Sequence, residues 1–220
     1  DGTGQKLWCK EFSGPKTDAG TRIIETADGG YLIGGETESY GSGKMDICLI
    51  KTDVKGNLIW SKTYGGKSYD QLGSIIELKN GNIAIAGKIS DEKTDDADML
   101  VCIIDAQGNV LASYAYGEAG LDNATSIALN KEGLAVIGNS LSASKGNMEM
   151  MLITTDLKGK SSCNARSVSI KSMSFSPVIK DMTELTIVEA ITEKPISGNS
   201  SNSDTVLGKN ADSVKGVICK

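Results

Sequence analysis

The sequence predicts an all-β fold built from repeated antiparallel units, on three observations. The segment Asp-x-x-Gly-x-x-x-Trp that starts at Asp1 returns at Asp53 and, with Ala112 in place of tryptophan, at Asp105, a period of 52 residues. Apolar residues come in short runs bounded by Gly, Asn and Asp, and no helical spacing persists. Each period holds four such runs, the size of one four-stranded blade, so the array reads as a β-propeller with three repeats visible and its ring incomplete.

The four runs of the clearest copy are Arg22 to Thr26, Tyr31 to Thr37, Met45 to Thr52 and Leu58 to Tyr64. Asp28-Gly29-Gly30 and Asn80-Gly81-Asn82 separate the first two strands, where Asp-Gly and Asn-Gly supply the positive φ of a tight hairpin. Asp53 to Asn57 and Asp105 to Asn109 join third strand to fourth through a slightly longer loop with Gly at its left-handed position. Short connections of this kind make each unit an antiparallel meander. The third strands, Ile47 to Ile50, Met99 to Ile104 and Met150 to Ile153, are apolar without alternation, so they are expected to be covered on both faces. Second strands carry Gly35, Gly87 and Gly138 at matched places, where backbones can approach closely.

The array opens inside a third-to-fourth turn, which makes Lys6 to Phe12 a fourth strand without its partners, and no fourth strand is recognisable after Gly159. Three units do not close a ring of the usual four to eight blades. The expectation is a piece of a longer protein, or a chain whose ring is completed by another polypeptide. Residues 1–160 are assigned to blade repeats (1–52, 53–104 and 105–160), and 161–220 to a β-rich Ser/Thr tail or small β domain. In that tail Ser167 to Phe175, Glu184 to Ala190 and Val214 to Cys219 read as strands, available to complete the third blade, extend the ring or form a separate domain.

Composition excludes several functions. The chain of 220 residues carries 23 Lys and Arg against 28 Asp and Glu, with no clustered basic stretch, which argues against nucleic acid and anionic membrane as partners. No apolar run is long enough for a membrane span, and Asp1 does not open a signal peptide. Histidine is absent, removing the commonest general base and transition-metal ligand. Cys9, Cys48, Cys102, Cys163 and Cys219 form no CxxC spacing, against a structural zinc site. Cys163 and Cys219 bracket the tail and form a candidate disulfide, while the other three lie in strand-like runs as buried thiols.

The candidate site residues recur with the repeat. Asp18, Asp70 and Asp122 precede the first strands, and Asp46, Asp98 and Glu149 precede the third. Such carboxylates can line a ligand channel or hold Ca²⁺, or can cap turns identically in every unit, and repetition favours the structural role. Asp91, Asp95, Asp96 and Asp98 form the densest acidic loop, a candidate cation site or a solvated face. Trp8 and Trp60 can stack on sugar rings, but their repetition favours packing between units. No nucleophile elbow, phosphate-binding loop or dinucleotide fingerprint occurs, so no catalytic residue or resident cofactor is expected and the chain reads as a non-enzyme.

Trp60 to Gly66, Asp28 to Gly35 and Asp46 to Asp53 resemble the repeats of secreted and surface β-propeller proteins of Bacteroidota and methanogenic archaea, and similar units occur in SBBP-type repeats. The resemblance covers about residues 1–160 and is weakest in the third copy. It implies an extracellular or cell-surface propeller with no common activity. In the tail, Asp204-Thr205-Val206 and Asp212-Ser213-Val214 resemble the Asp-Ser/Thr-apolar O-glycosylation acceptors of Bacteroidota, with Thr205 and Ser213 as the acceptors, and along the chain Asn123 and Asn199 fit the N-glycosylation pattern. The expected function is a non-catalytic scaffold for binding, adhesion or assembly. Its partners would be blades or chains that complete the ring, and glycans. The alternatives are a carbohydrate-binding or carbohydrate-active propeller and a subunit of a larger surface or secretion assembly.

Overall fold

Short apolar first strands, unbroken apolar third strands and glycine-centred turns place strands almost where the repeat predicts them. The computed structural model describes residues 2–3, 5–94, 96–142, 147–162 and 165–183. β1 (Lys10–Ser13) precedes β2 (Asp18–Glu25), β3 (Tyr31–Thr37), β4 (Asp46–Thr52) and β5 (Leu58–Gly65). The next unit holds β6 (Gln71–Glu77), β7 (Ile83–Ser90), β8 (Ala97–Ile104) and β9 (Val110–Tyr116), and the third holds β10 (Asp122–Leu129), β11 (Leu134–Ser140) and β12 (Glu149–Thr155). Three short strands follow: β13 (Arg166–Ser167), β14 (Lys171–Ser174) and β15 (Val178–Asp181). The chain divides into a compact unit of residues 11–180 and a second unit, whose described parts are residues 2–3, 5–10 and 181–183.

The first sheet runs β14-β5-β4-β3-β2, the second β13-β9-β8-β7-β6, the third β10-β11-β12, and β1 pairs with β15. Every sheet is open, and the registered pairs are antiparallel. No helix among the described residues is long and apolar enough to cross a membrane. β2 and β10 start at Asp18 and Asp122 and β6 starts just after Asp70, earlier than the apolar run from Arg22 predicts, and each carries a bulge at a matched place, Thr21, Gly73 or Thr125. The extra residue bends the strand and disrupts the local pairing. The matched glycines of the second strands answer a steric demand: a Cβ at Gly35, Gly87 or Gly138 would overlap the carbonyl oxygen of Ala19, Gln71 or Asn123 in the adjoining first strand. Gly56, Gly108 and Gly159 adopt φ of 73°, 77° and 81° in the third-to-fourth turns, as their left-handed role requires.

Two cores lie between consecutive sheets. Ile47 and Leu49 of the first sheet meet Leu72, Ile75 and Ile85 of the second. Met99 and Val101 of the second meet Ala124, Ile127 and Val136 of the third. β8 is therefore buried on both faces, as its unalternating sequence predicts. β12 departs from that expectation: Ile153 is buried but Met150 and Leu152 are exposed, because no sheet among the described residues covers their face. Tyrosines bolt the stack together. The buried Tyr64 hydroxyl donates to Gly108 O at 2.8 Å, and Tyr116 donates to Gly159 O at 2.5 Å, each reaching the third-to-fourth turn of the next unit.

The tail departs from expectation in a regular way. Ser167 to Phe175 is not one strand but parts of two, β13 and β14, which extend the outer edges of the second and first sheets. Arg166 pairs with Ala115 and Ser167 with Tyr114; seven residues later Met173 pairs with Thr63 and Ser174 with Lys62. A seven-residue step in the tail thus matches a 52-residue step in the array. Hydroxyls repeat the match: Ser113 Oγ donates to Val168 O at 2.5 Å, and Ser61 Oγ donates to Phe175 O. In the other unit Met182 N donates to Cys9 O at 2.8 Å, one further step of seven and of 52. The expected strands at 184–190 and 214–219 lie outside the described residues, and Lys6 to Phe12 contributes only the shorter β1.

Tyr64→Phe leaves the Gly108 carbonyl without its donor and is expected to destabilise the fold by about 1–3 kcal/mol, read as a lower denaturation midpoint with unchanged slope. Ser113→Ala with Ser61→Ala removes the two tail clamps, each worth about 0.5–1.5 kcal/mol. Amide exchange at Val168 and Phe175 is expected to quicken, while β8 amides stay protected; equal acceleration at β8 would show that the tail has no separate opening.

Candidate functional site

The repeated carboxylates draw together in pairs between consecutive sheets. β4 begins at Asp46 and β6 follows Asp70, and an isolated parallel bridge joins their neighbours Met45 and Tyr69. A Cβ on Gly65 would collide with both Asp46 Oδ1 and Asp70 Oδ2, so the two carboxylates converge on that glycine. The arrangement recurs one period later, where Asp98 and Asp122 converge on Gly117 and a parallel bridge joins Ala97 to Leu121. The two aspartate series are separate in the repeat, and tertiary structure makes them one site. Glu149, the third member of its series, is exposed, and Asp18 is half-buried at the opposite end of the array.

Each carboxylate is also engaged by the loops around it. Asp18 accepts Gly14 N at 2.7 Å, Thr37 Oγ1 at 2.5 Å and Ser39 Oγ at 2.9 Å. Asp70 accepts Gly66 N at 2.6 Å and Ser90 N at 2.9 Å, and Asp122 accepts Ser142 Oγ at 2.6 Å. Each thus ties its own first strand to the loop leaving the second strand, the turn-capping role that short acidic side chains favour. Asp46 Oδ2 takes both Ser42 N and Gly43 N, at 3.0 and 2.9 Å. The repeat's hallmark aspartates do the same elsewhere: Asp105 Oδ1 accepts Gln107 N and Asn109 N, and Asp156 Oδ1 accepts Lys158 N and Lys160 N.

Burial dominates the electrostatics of the pairs. It pushes the Asp46 carboxyl up, against the loop N–H groups that favour its charge. It does the same to Asp70, helped by the charge of Asp46, and to Asp98, helped by that of Asp122. Two anions in one desolvated place disfavour each other, which is how a proton comes to be held above the usual carboxylate range. Elsewhere, the Thr26 hydroxyl, the Lys51 ammonium and Gly30 N–H hold Asp28 down at about 2. Burial raises the Cys102 and Cys48 thiols to about 12, leaving both protonated and poorly nucleophilic at neutral pH.

The remaining candidates separate. In the acidic loop, Asp91 Oδ1 accepts Lys93 N and Thr94 N, Asp96 accepts Gly120 N, and Asp98 pairs with the Arg166 guanidinium; Asp95 lies outside the described residues. No group of three His, Cys, Asp or Glu placed to hold a metal ion occurs among the described residues. Trp60 is half-buried against the first core, and its Nε1 donates to Ala106 O of the next unit at 3.0 Å. Trp8 is half-buried in the other compact unit. Cys9 and Cys102 are buried, whereas Cys48 is only half-buried. Cys163, Cys219, Thr205 and Ser213 lie outside the described residues. A shallow hollow of about 540 Å³ at the turn end of the third sheet is lined by Asn130, Lys131, Glu132, Thr155, Asp156 and Lys160. Sequence reasoning missed the Lys51–Asp28 pair at 2.9 Å and the Arg166–Asp98 pair, since the basic partners, Lys51 and Arg166, have no matched basic residue in the other copies.

No protein-family model matches the chain. Regulatory protein FlaEY of Caulobacter vibrioides is 24% identical over an alignment of 138 residues, which covers 56% of this chain and 14% of that protein. The chain therefore spans about one seventh of the length of that relative.

The pair makes a signed pH prediction. A folded pKa above the usual 3.8 for Asp46 means the folded state binds more protons than the unfolded one, so stability rises as pH falls through the raised value and levels off near the unfolded one. Asp46→Asn can keep both loop bonds through a single oxygen and removes the charge. It is expected to raise the melting temperature at neutral pH, with the gain vanishing as pH falls to the ordinary aspartate range, and to lower the Asp70 pKa in an NMR titration.

Proposed function

We propose that this chain is a β-propeller segment, residues 1–160 being its blade repeats, that acts as a non-catalytic scaffold for binding and assembly outside the cell or on its surface. One observation carries the reading. The residues best suited to chemistry, Asp70, Asp122 and Trp60, are occupied in holding strands, loops and neighbouring sheets together, and the aspartates do so in the same way from unit to unit. A catalytic centre breaks such symmetry, whereas a stacked array requires it. The extracellular placement rests on the resemblance of the repeat to secreted and surface propellers. FlaEY carries the name of a regulatory protein, and an alignment confined to one seventh of it fits a module reused within longer chains.

The carbohydrate reading has one observation in its favour, the convergence of Asp46 with Asp70 and of Asp98 with Asp122, since paired carboxylates are the machinery of glycoside hydrolysis. Polysaccharide hydrolysis and glycan-array binding, measured for the native chain and for Asp46→Asn with Asp98→Asn, separate the two. The scaffold predicts no turnover and no glycan signal that the variant loses. Hydrolysis abolished by the variant would overturn it in favour of an enzyme.

A further inference from the structure

Among the described residues, the third sheet ends the stack with an uncovered face. Ile47 and Leu49 of β4 are wholly buried by the second sheet, and their counterparts Met99 and Val101 of β8 are wholly buried by the third. The next counterparts, Met150 and Leu152 of β12, are 84% and 68% exposed. At the other end, Ile75 and Ile127 of the first strands are buried, while their counterpart Ile23 of β2 is 63% exposed. One end of the array thus presents the face that every unit turns to its successor, and the other presents the face that every unit turns to its predecessor.

Side-chain size says what fits. Gly34 of β3 lies under Leu72, whose Cδ2 stands 2.5 Å from where a Cβ on Gly34 would be. One unit on, both places are of middle size, Ala86 with Ala124 in the same core. At the open ends the sizes are reversed: the succeeding face carries Ile137, 40% exposed, and the preceding face carries Gly20, which has nothing within 4 Å of its Cβ position. Small against large, medium against medium and large against small each fill a similar volume, which close packing demands. The first interface adds a polar contact that the second, with Lys88 in place of Glu36, does not repeat. Glu36 Oε1 accepts Leu72 N at 3.1 Å, and the counterparts at the open ends are the exposed Asn139, with an amide oxygen, and the Gly20 N–H.

We infer that the exposed face of the third sheet docks on the exposed face of the first sheet of a second copy of this chain, head to tail. Ile137 enters the space over Gly20, and Met150 and Leu152 cover Ile23. The contact is heterologous, so it extends the array and builds a ring when the rotation closes and a filament when it does not. The inference deepens the assembly reading above and rests on it only for the face-to-face stacking of sheets.

Sedimentation velocity and light scattering of the complete chain across a dilution series test it. The native chain is expected to show multiples of the monomer mass that dissociate on dilution. Met150→Lys spoils one face and Gly20→Leu the other, and each is expected to weaken association about tenfold or more. Both sites are open to solvent in the single chain, so thermal melts should match the native protein at equal monomer concentration. An equimolar mixture of the two variants keeps one good face on each partner and is expected to form heterodimers that do not extend. Gly20→Leu combined with Ile137→Gly is expected to regain assembly. A monomer at every concentration, assembly indifferent to Gly20→Leu, or a mixture no larger than its parts would overturn the inference, and none of these would alter the hydrolysis and glycan results that judge the scaffold reading.

Discussion

The structure depends on one constraint: a sheet whose third strand is apolar on both faces has to be covered on both. Ile47 and Leu49 on one side of β4, and Met99 and Val101 on one side of β8, are removed from water only by the next sheet. Fully burying a side chain of this size contributes about 1.5–3 kcal/mol, so no unit keeps that gain alone. Stacking then imposes the rest. Backbones have to come close, and glycine is required where second strand meets first. Turns of one unit fall beside the fourth strand of the previous one, where Tyr64 and Tyr116 reach their carbonyls. The outer edges of the sheets are left with unpaired backbone groups.

The tail answers that last problem for two sheets. By adding β13 to β9 and β14 to β5, it pairs the edges that an open stack exposes, in the order opposite to that in which the chain laid them down. Stacked sheets lie about 10 Å apart, and seven extended residues reach about 23 Å, enough to pair a few residues on one edge and cross to the next. The serine hydroxyls at positions 61 and 113 mark the two landing points. The carboxylate pairs have the same origin. Asp46 and Asp70 belong to different units and share a desolvated place only because the sheets stack, and the cost of that placement appears as raised proton affinity.

Much of this was legible in advance. The unbroken apolar run Met99 to Ile104 announces a strand covered twice, and it is. Gly35, Gly87 and Gly138 announce close approach, and each meets a carbonyl. The first strand begins before its apolar run at Arg22, because Asp18 to Thr21, which lead into the bulge, carry no large apolar side chain that would mark a strand. The tail differs from its sequence pattern for a related reason: Ser167 to Phe175 has continuous β character, and nothing local marks the point where it leaves one sheet for another. The seven-residue step is invisible until β9 and β5 are seen to be the edges it serves.

The sequence alone determined the repeat, the strand order within each unit and the turns, because these rest on contacts a few residues long and on glycine's access to positive φ. Tertiary structure decided which sheets touch, which aspartates share a site, where the tail lands and which faces stay open. Those contacts join residues separated by a whole period or more, where the strength of an interaction depends on the burial that stacking creates rather than on the identity of neighbouring residues. Met99 and Met150 illustrate the division: both occupy one place in the repeat, yet one is buried and the other stands in water.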